Sequence, residues 1–440
     1  MIAAFRGRLS GVHDNHKRIA SGALTIGLLT LGAKVFVAAR EMAIAWRYGV
    51  SATVDAYQLA ITITTWLPML IVGVMTVVLV PRLVGLSSSG ESRTGFVGEL
   101  NGTVLLIGAG ISLLTWLAAP FSARLLASGV NAGTVQLTAS LAAQLAPLAF
   151  CILICGYFSA RLQSRERFIY SVTEAAPALL IALILILPLG LGGVLPLIVG
   201  TLVGYGLQVV ILTAMVKQGD PPFGVVRFNH QSAEWRSLYG ALSLMVVAQL
   251  MITLANPIDQ AFAARLGEGA VATLGYATRL VTLLTGLGSV VVGRALLPVL
   301  SRAVAEGSEK LGARQTLQWS GALAVAAAVG AGIMWLLAPL IVRLLFQRGA
   351  FDAAATADVA HVLRFGLVQL PFYFAGMAMV QYYAATGRYR SILGITASAL
   401  VLKVALNATL APLLGVAGIA LSTAGMYFLT ATLLGLGMRR

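Results

Sequence analysis

The sequence predicts an all-α polytopic membrane protein, with about twelve transmembrane helices in two six-helix lobes inserted in the same sense. Three observations carry that prediction. The 440 residues are 59% hydrophobic and only 10% charged, with mean hydropathy +0.91, whereas soluble domains carry roughly 25% charged residues. The apolar runs reach about 20 residues, enough for a helix to cross the hydrocarbon core, and they lack the period-two alternation of an outer-membrane barrel. A pattern of polar residues near the start also recurs about 218 residues later.

In chain order the spans fall at 20–46, 55–81, 99–119, 134–159, 168–187, 193–216, 237–262, 270–298, 316–345, 356–385, 391–412 and 414–437. Pro68, Pro147, Pro177, Pro257 and Pro371 lie inside them, where membrane helices tolerate proline and often kink. Ahead of the first span the chain is basic through Arg18, and that first apolar run is too long for a signal-peptide core, so no cleaved leader is expected. The amino-terminal lobe is 1–217, the linker 218–236 with its Pro221-Pro222 pair, and the carboxy-terminal lobe 237–440.

Charge sets the orientation. Lys and Arg gather in the tails and in the loops after even-numbered spans, at Arg82, Arg161, Arg165, Lys217 and Arg236 among others. The opposite side has Arg47, Arg124, Arg265, Arg343 and Arg348. The positive-inside rule then places both termini in the cytoplasm. The net charge of +15 is on this reading a record of topology, and no nucleic-acid partner is expected.

The repeat is specific enough to name. Glu41-x-Ala43-x-Ala45-x-Arg47-x-Gly49 matches Asp259-x-Ala261-x-Ala263-x-Arg265-x-Gly267, and Pro81 matches Pro298. Trp116-Leu117-Ala118-Ala119-Pro120 with Arg124 matches Trp335-Leu336-Leu337-Ala338-Pro339 with Arg343, and Leu145-Ala146-Pro147 faces Gln369-Leu370-Pro371. The offset drifts only from 217 to 224. Because six spans per half is an even number, the lobes are parallel repeats, and a substrate site is expected at their interface.

The candidate chemistry is ionic. Lys34, Arg40 and Glu41 lie in the first span at depths where an unpartnered charge costs about 2.5–3.5 kcal/mol even on the forgiving insertion scale. On a helix Lys34 and Glu41 share one face and Arg40 and Arg47 a neighbouring one, so the polar arc is expected to face the interlobe space. Arg47, at the helix end, is expected to reach the headgroups. Arg279 lies nine residues inside the eighth span, about 13 Å at 1.5 Å per residue, and is expected to face the cavity. Arg364 and Lys403 are similarly deep and join the candidate anion-binding set. The acids Glu41, Asp55, Asp259 and Glu174 are candidates for a coupling cation or proton, or for structural pairing; Asp55 is expected to stabilise the dipole of its own helix start. His361, three residues from both Asp358 and Arg364, reads as a satisfied polar contact, and Cys151 and Cys155 as small core residues without further metal ligands.

Deep cations suit an anion, and diphosphate is the membrane-borne candidate, since Arg forms bidentate bonds to phosphate oxygens. There is no Walker loop, zinc pattern or nucleophile motif, so neither an enzyme nor a nucleotide-driven pump is expected, and no cofactor.

On Lys34 to Asp55, Asn256-Pro-Ile-Asp259, Tyr276-Ala-Thr-Arg279-Leu280 and Leu345-Phe-Gln-Arg-Gly-Ala-Phe351, the chain resembles the MviN/MurJ-type lipid II flippases of the multidrug/oligosaccharidyl-lipid/polysaccharide exporter superfamily. The resemblance implies a V of two lobes alternating between openings around a central cavity. It implies cavity positions for Lys34, Arg40 and Arg279 that hold a lipid diphosphate, and a family acidic position at Asp55. The implied setting is the bacterial inner membrane. The implied substrate is a polyprenyl-diphosphate-linked saccharide, either lipid II or an exopolysaccharide or O-antigen precursor. Transport is expected to be driven by membrane potential, an ion or a proton, in a monomer associated with envelope-synthesis machinery. Three departures accompany it: MLIVGVMTVVLVP follows Leu67-Pro68 where the family has a polar segment, Thr278 stands where an acid commonly precedes the arginine, and twelve spans are read where lipid II flippases usually have two more. A drug or cation antiporter of the same superfamily, a membrane enzyme acting on the same lipid, and an envelope scaffold are the alternatives.

Overall fold

The computed structural model describes residues 32–86, 90–217, 224–305 and 309–439. The basic amino-terminal tail, the start of the first span and Pro221-Pro222 lie outside the described residues. Helix α1 covers 32–48. It is followed by α2 (Ala52–Gly85), α3 (Gly90–Leu126), α4 (Ala132–Gln144), α5 (Pro147–Gln163), a 3-10 turn (Phe168–Glu174), α6 (Ala175–Ile186) and α7 (Leu195–Lys217). After the linker come α8 (Glu234–Thr253), α9 (Ala255–Ala264), α10 (Ala270–Ala305), α11 (Glu309–Phe346), α12 (Ala353–Leu367), α13 (Leu370–Ala385), α14 (Tyr389–Leu414) and α15 (Val416–Arg439). Among the described residues there is no strand.

Every predicted span overlaps a helix, although three of them are built from two. Among the described residues seven helical stretches are long and apolar enough to cross a membrane, or nine if each bent pair is one span. The fourth span breaks where Pro147 begins α5, and the axes of α4 and α5 differ by 49°. Proline lacks the N–H that would continue the helical ladder and clashes with the preceding turn, so it starts a new helix more easily than it sits within one. Pro371 opens α13 in the same way. The helices preceding these breaks are capped alike. The Asn131 side chain accepts from Thr134 N at 2.8 Å to start α4, and Asp352 accepts from Ala355 N at 2.8 Å to start α12. The long helices before them, α3 and α11, both carry an internal proline near their ends, Pro120 and Pro339. The run α3–α4–α5 thus has its counterpart in α11–α12–α13.

The buried core explains the overall shape. One apolar cluster draws on both halves, with Ile44, Leu59, Leu141 and Leu197 joined to Tyr276, Phe346, Val359 and Ile419. These residues all lie toward the end of the bundle where α1 stops and α2 starts. At the other end the core divides. Leu83, Phe96, Tyr157 and Leu212 form one cluster, and Tyr382, Tyr383, Leu434 and Met438 form another. The two lobes therefore converge at one end and separate at the other, which is a V.

The convergent end is sealed by reciprocal loops. The turn after α11 lies on the end of α1, where Ala350 N donates to Trp46 O at 2.9 Å. The turn after α3 lies on the end of α9, where a Cβ on Gly129 would overlap the backbone of Ala264 and Arg265. Gly49 has φ +60°, a left-handed conformation that glycine adopts readily, and a Cβ there would overlap the Ala350 carbonyl. Tyr276 donates its hydroxyl to Gly49 O at 3.1 Å and packs against Phe346 and Phe351.

Asp55 completes the seal, in a role that differs from the expected one. It does sit in the first turn of α2, yet its fully buried carboxylate accepts from Gly269 N at 2.5 Å and Ala272 N at 2.7 Å, at the start of α10. Orphan N–H groups at a helix start attract an anion from any element that can reach them. Here the acid belongs to one lobe and the helix to the other. At the divergent end the linker is held to the amino-terminal lobe. Glu99 on α3 accepts from Gln231 N, Ser232 N and, at 2.7 Å, Trp235 Nε1, and Arg227 N donates to Gly98 O at 2.9 Å.

Replacing Asp55 with alanine leaves two buried N–H groups without an acceptor, at about 1–3 kcal/mol each. Asp55→Ala is predicted to lower stability by about 2 kcal/mol or more, read as a lower midpoint of thermal unfolding in detergent. Asp55→Asn, which keeps one carbonyl acceptor, should lose about half as much.

Candidate functional site

The site begins with one carboxylate. Glu41 on α1 is 3% exposed, and a carboxylate so placed needs partners. It has two. Arg40, its neighbour in the chain, donates to Glu41 Oε1 from Nε at 2.9 Å and from Nη2 at 2.5 Å. Arg279, from α10 of the other lobe, forms an ion pair with Glu41 Oε2 at 2.5 Å. The geometry follows from depth. Arg40 lies eight residues below the end of α1 and Arg279 nine residues below the start of α10, about 12–13 Å for each at 1.5 Å per residue.

The acid lies behind and the cations in front. The Arg40 and Arg279 side chains retain 23% and 28% exposure against 4% for Glu41. They line a cavity of about 230 Å³ that Lys34 also borders, with apolar walls from Val37, Leu283 and Phe346. Lys34 is more open and lies 3.9 Å from Glu174 of the 3-10 turn. A guanidinium has five donors, so one shared carboxylate leaves donors on both arginines for an anion that enters the cavity. The charge count of the group is modest: three cations against Glu41 and Glu174.

The remaining candidates lie elsewhere. Lys403 on α14 is 0% exposed and pairs with Asp259 of α9 at 2.9 Å. Its ammonium donates to Thr423 Oγ1, and Asn407 Nδ2 donates to Asp259 Oδ1 at 2.9 Å. This group borders a second cavity of about 190 Å³, lined also by Asn256, Thr282 and Tyr427. Thr282 of α10 lies on the walls of both cavities. Arg364 stacks on Trp335, with its guanidinium carbon 4.7 Å from the ring centroid, and donates to Trp335 O at 3.2 Å. It borders neither cavity. Arg47 does not behave as a headgroup anchor, since it donates to Leu185 O at 3.0 Å and Leu191 O at 2.6 Å around the end of α6. Carbonyls left open at a helix end draw a nearby cation.

Lys34, Arg40 and Arg279 are thus brought together, while Arg364 and Lys403 are not. What sequence reasoning missed is the partner set of Lys403. Asn407 lies one helical turn beyond it on the same face, and Ser422 and Thr423 are adjacent hydroxyls in an apolar span, so a signal was present. The link from Glu41 to Arg279 left no such signal, because it joins residues 238 positions apart on different lobes. Among the described residues no group of three or more His, Cys, Asp and Glu side chains could hold a metal ion.

Comparison with known proteins bears on the same chain. The family model described as lipid II flippase MurJ matches residues 44–440. A probable lipid II flippase MurJ of Rhizobium tropici is 29% identical over 421 residues, covering 91% of this chain and 77% of that protein. The lipid II flippase MurJ of Burkholderia cenocepacia is 27% identical over 440 residues, covering 95% and 83%. Among solved structures, a lipid II flippase MurJ in an inward closed conformation has a TM-score of 0.80 at 20% identity, covering 95% of this chain and 88% of that one. An inward-facing MATE family multidrug resistance transporter has a TM-score of 0.73 at 15% identity, covering 94% and 97%. At those identities the two structures speak to the fold.

Sharing one carboxylate between two arginines has a measurable consequence. Removing either arginine leaves Glu41 with the other; removing both leaves a buried carboxylate unpaired. The stability lost in the Arg40→Ala, Arg279→Ala double variant is predicted to exceed the sum of the single losses by about 1–3 kcal/mol. Unfolding midpoints of the three variants in detergent check this, and strict additivity would count against the shared pair.

Proposed function

The chain belongs to the lipid II flippase MurJ family, and from that premise we propose that it moves a polyprenyl-diphosphate-linked saccharide between the leaflets of the bacterial inner membrane by alternating access. The observation that carries the reading is the cavity bordered by Lys34, Arg40 and Arg279, with Glu41 behind them. Two of these cations come from one lobe and the third from the other, so an anion held between them senses the relative position of the lobes. Diphosphate offers several oxygens, and charge-assisted bonds from Arg are strongest where water is scarce. Lipid II is the member of this class that the relatives' names supply.

In this reading the end sealed by the α1–α2 and α11–α12 turns faces away from the cytoplasm, both termini are cytoplasmic, and the open V receives its substrate from the inner leaflet. Reporter fusions at the carboxy terminus and in the 127–131 turn test that orientation. The protein acts as a transporter with no chemical step. The membrane potential biases the cycle, since one charge crossing 100 mV is worth about 2.3 kcal/mol. The MATE-like fold favours a second reading, a drug or cation antiporter. That reading needs an acid free to take the cation, whereas Glu41 is committed to two arginines.

The test is leaflet exchange of a fluorescent polyprenyl-diphosphate saccharide in proteoliposomes, read by chemical quenching of the outer leaflet. Arg40→Ala and Arg279→Ala are each predicted to slow exchange by about tenfold or more, the equivalent of about 1.5–3 kcal/mol for a hydrogen bond to a charged group. Arg364→Ala, outside the cavity, should leave the rate near the wild-type value. Wild-type rates in both cavity variants would overturn the assignment.

A further inference from the structure

The cluster around Lys403 takes no part in the arginine cavity, and a fully buried ammonium inside a membrane-spanning helix requires a reason of its own. Its surroundings are oxygens from three helices. Asp259 Oδ1 of α9 lies 2.9 Å from Nζ, and Thr423 Oγ1 of α15 accepts from Nζ at 2.5 Å. One turn along α14, Asn407 donates from Nδ2 to the same Asp259 oxygen at 2.9 Å, and its own Oδ1 accepts from the Ser422 hydroxyl. Carboxylate, hydroxyl and amide oxygens are the ligands that hard metal cations prefer. The neighbouring cavity of about 190 Å³ reaches Asp259, Lys403 and Thr423, so small solutes have a polar approach to the cluster. A carboxylate at this depth needs a positive partner, and here the chain provides it from one turn before Asn407. A tethered ammonium makes the pairing intramolecular, so it does not depend on the concentration of any dissolved ion.

We propose that Lys403 is a resident cation for this oxygen cluster: it holds α9, α14 and α15 together around Asp259 without an alkali-metal ion, and shortening its side chain turns the cluster into a sodium-sized metal site. The cluster thus works as an ion site whose ion is covalently attached. Lys403→Ala removes three methylenes and the ammonium, leaving Asp259 and Thr423 facing the vacated space. Lys403→Met keeps the length and fills that space with an apolar group. The inference is independent of the lipid-diphosphate reading, because its readout is protein stability without substrate.

The experiment is thermal unfolding of the purified full chain in detergent, with NaCl exchanged for choline chloride at constant ionic strength. The wild-type midpoint is expected to stay constant across the exchange. The Lys403→Ala midpoint is expected to rise by roughly 3 °C or more between about 1 and about 100 mM sodium. Adding Asp259→Asn should abolish that rise, and Lys403→Met should not show it. Sodium-dependent stabilisation of the wild type, or a folded Lys403→Ala protein indifferent to sodium, would overturn the proposal. If Lys403→Ala folds only in sodium, that supports it. If it folds in neither salt, binding of radioactive sodium to the wild type decides: stoichiometric binding that Asp259→Asn removes overturns the proposal, and its absence supports it.

Discussion

A single buried carboxylate, Glu41, ties the two lobes together through an ion pair with Arg279. It lies on α1, takes Arg40 from its own lobe and Arg279 from the other, and is nearly sealed from solvent while both guanidinium groups keep a face to the cavity. An acid buried in a membrane protein is costly unless paired, and two buried arginines without an acid would repel each other in a medium that screens poorly. The triad resolves both problems and leaves spare donors. It also makes the cavity sensitive to lobe position, since any rocking that moves α10 relative to α1 alters the Arg279–Glu41 pair.

The seal beyond the triad gives that movement a fixed end. Asp55 reaches across to the start of α10, Tyr276 reaches back to Gly49, and the turns after α3 and α11 rest on the ends of α9 and α1 in the opposite lobe. These contacts are short, polar and reciprocal, and they sit over one continuous apolar core. At the divergent end the buried core is divided between separate clusters, whereas parting the lobes at the seal would divide the core they share. Glu99 adds an asymmetry, because it fixes the linker and the start of α8 to the amino-terminal lobe.

The repeat places an acid in the first span of each lobe, and each lobe neutralises it differently. Glu41 is balanced by arginines that remain accessible, whereas Asp259 is balanced by a lysine that is wholly enclosed. Guanidinium is planar, with more donors than one carboxylate uses, and ammonium is a compact point charge that a few oxygens can enclose. The first arrangement suits a ligand site and the second an internal fastener.

Much of this was legible in the sequence. Apolar run length gave the helices, the recurrence of Glu41 and Arg47 at Asp259 and Arg265 gave the two lobes, and the depth of Lys34, Arg40 and Arg279 marked the cavity, because a charge at that depth must have a partner or a wet space wherever it lies. Residues one or two turns apart, such as Lys403 and Asn407, share a face that helical periodicity alone reveals. Other assignments belonged to the tertiary structure. Asp55 caps a foreign helix, Arg47 binds the end of α6, Glu41 holds Arg279, and Lys403 turns from a candidate anion ligand into the partner of Asp259. In each case composition and spacing establish that a charged group needs a counterpart. Which counterpart it finds depends on the packing of helices far apart in the chain, and pairing at a few ångströms is decided by that packing alone.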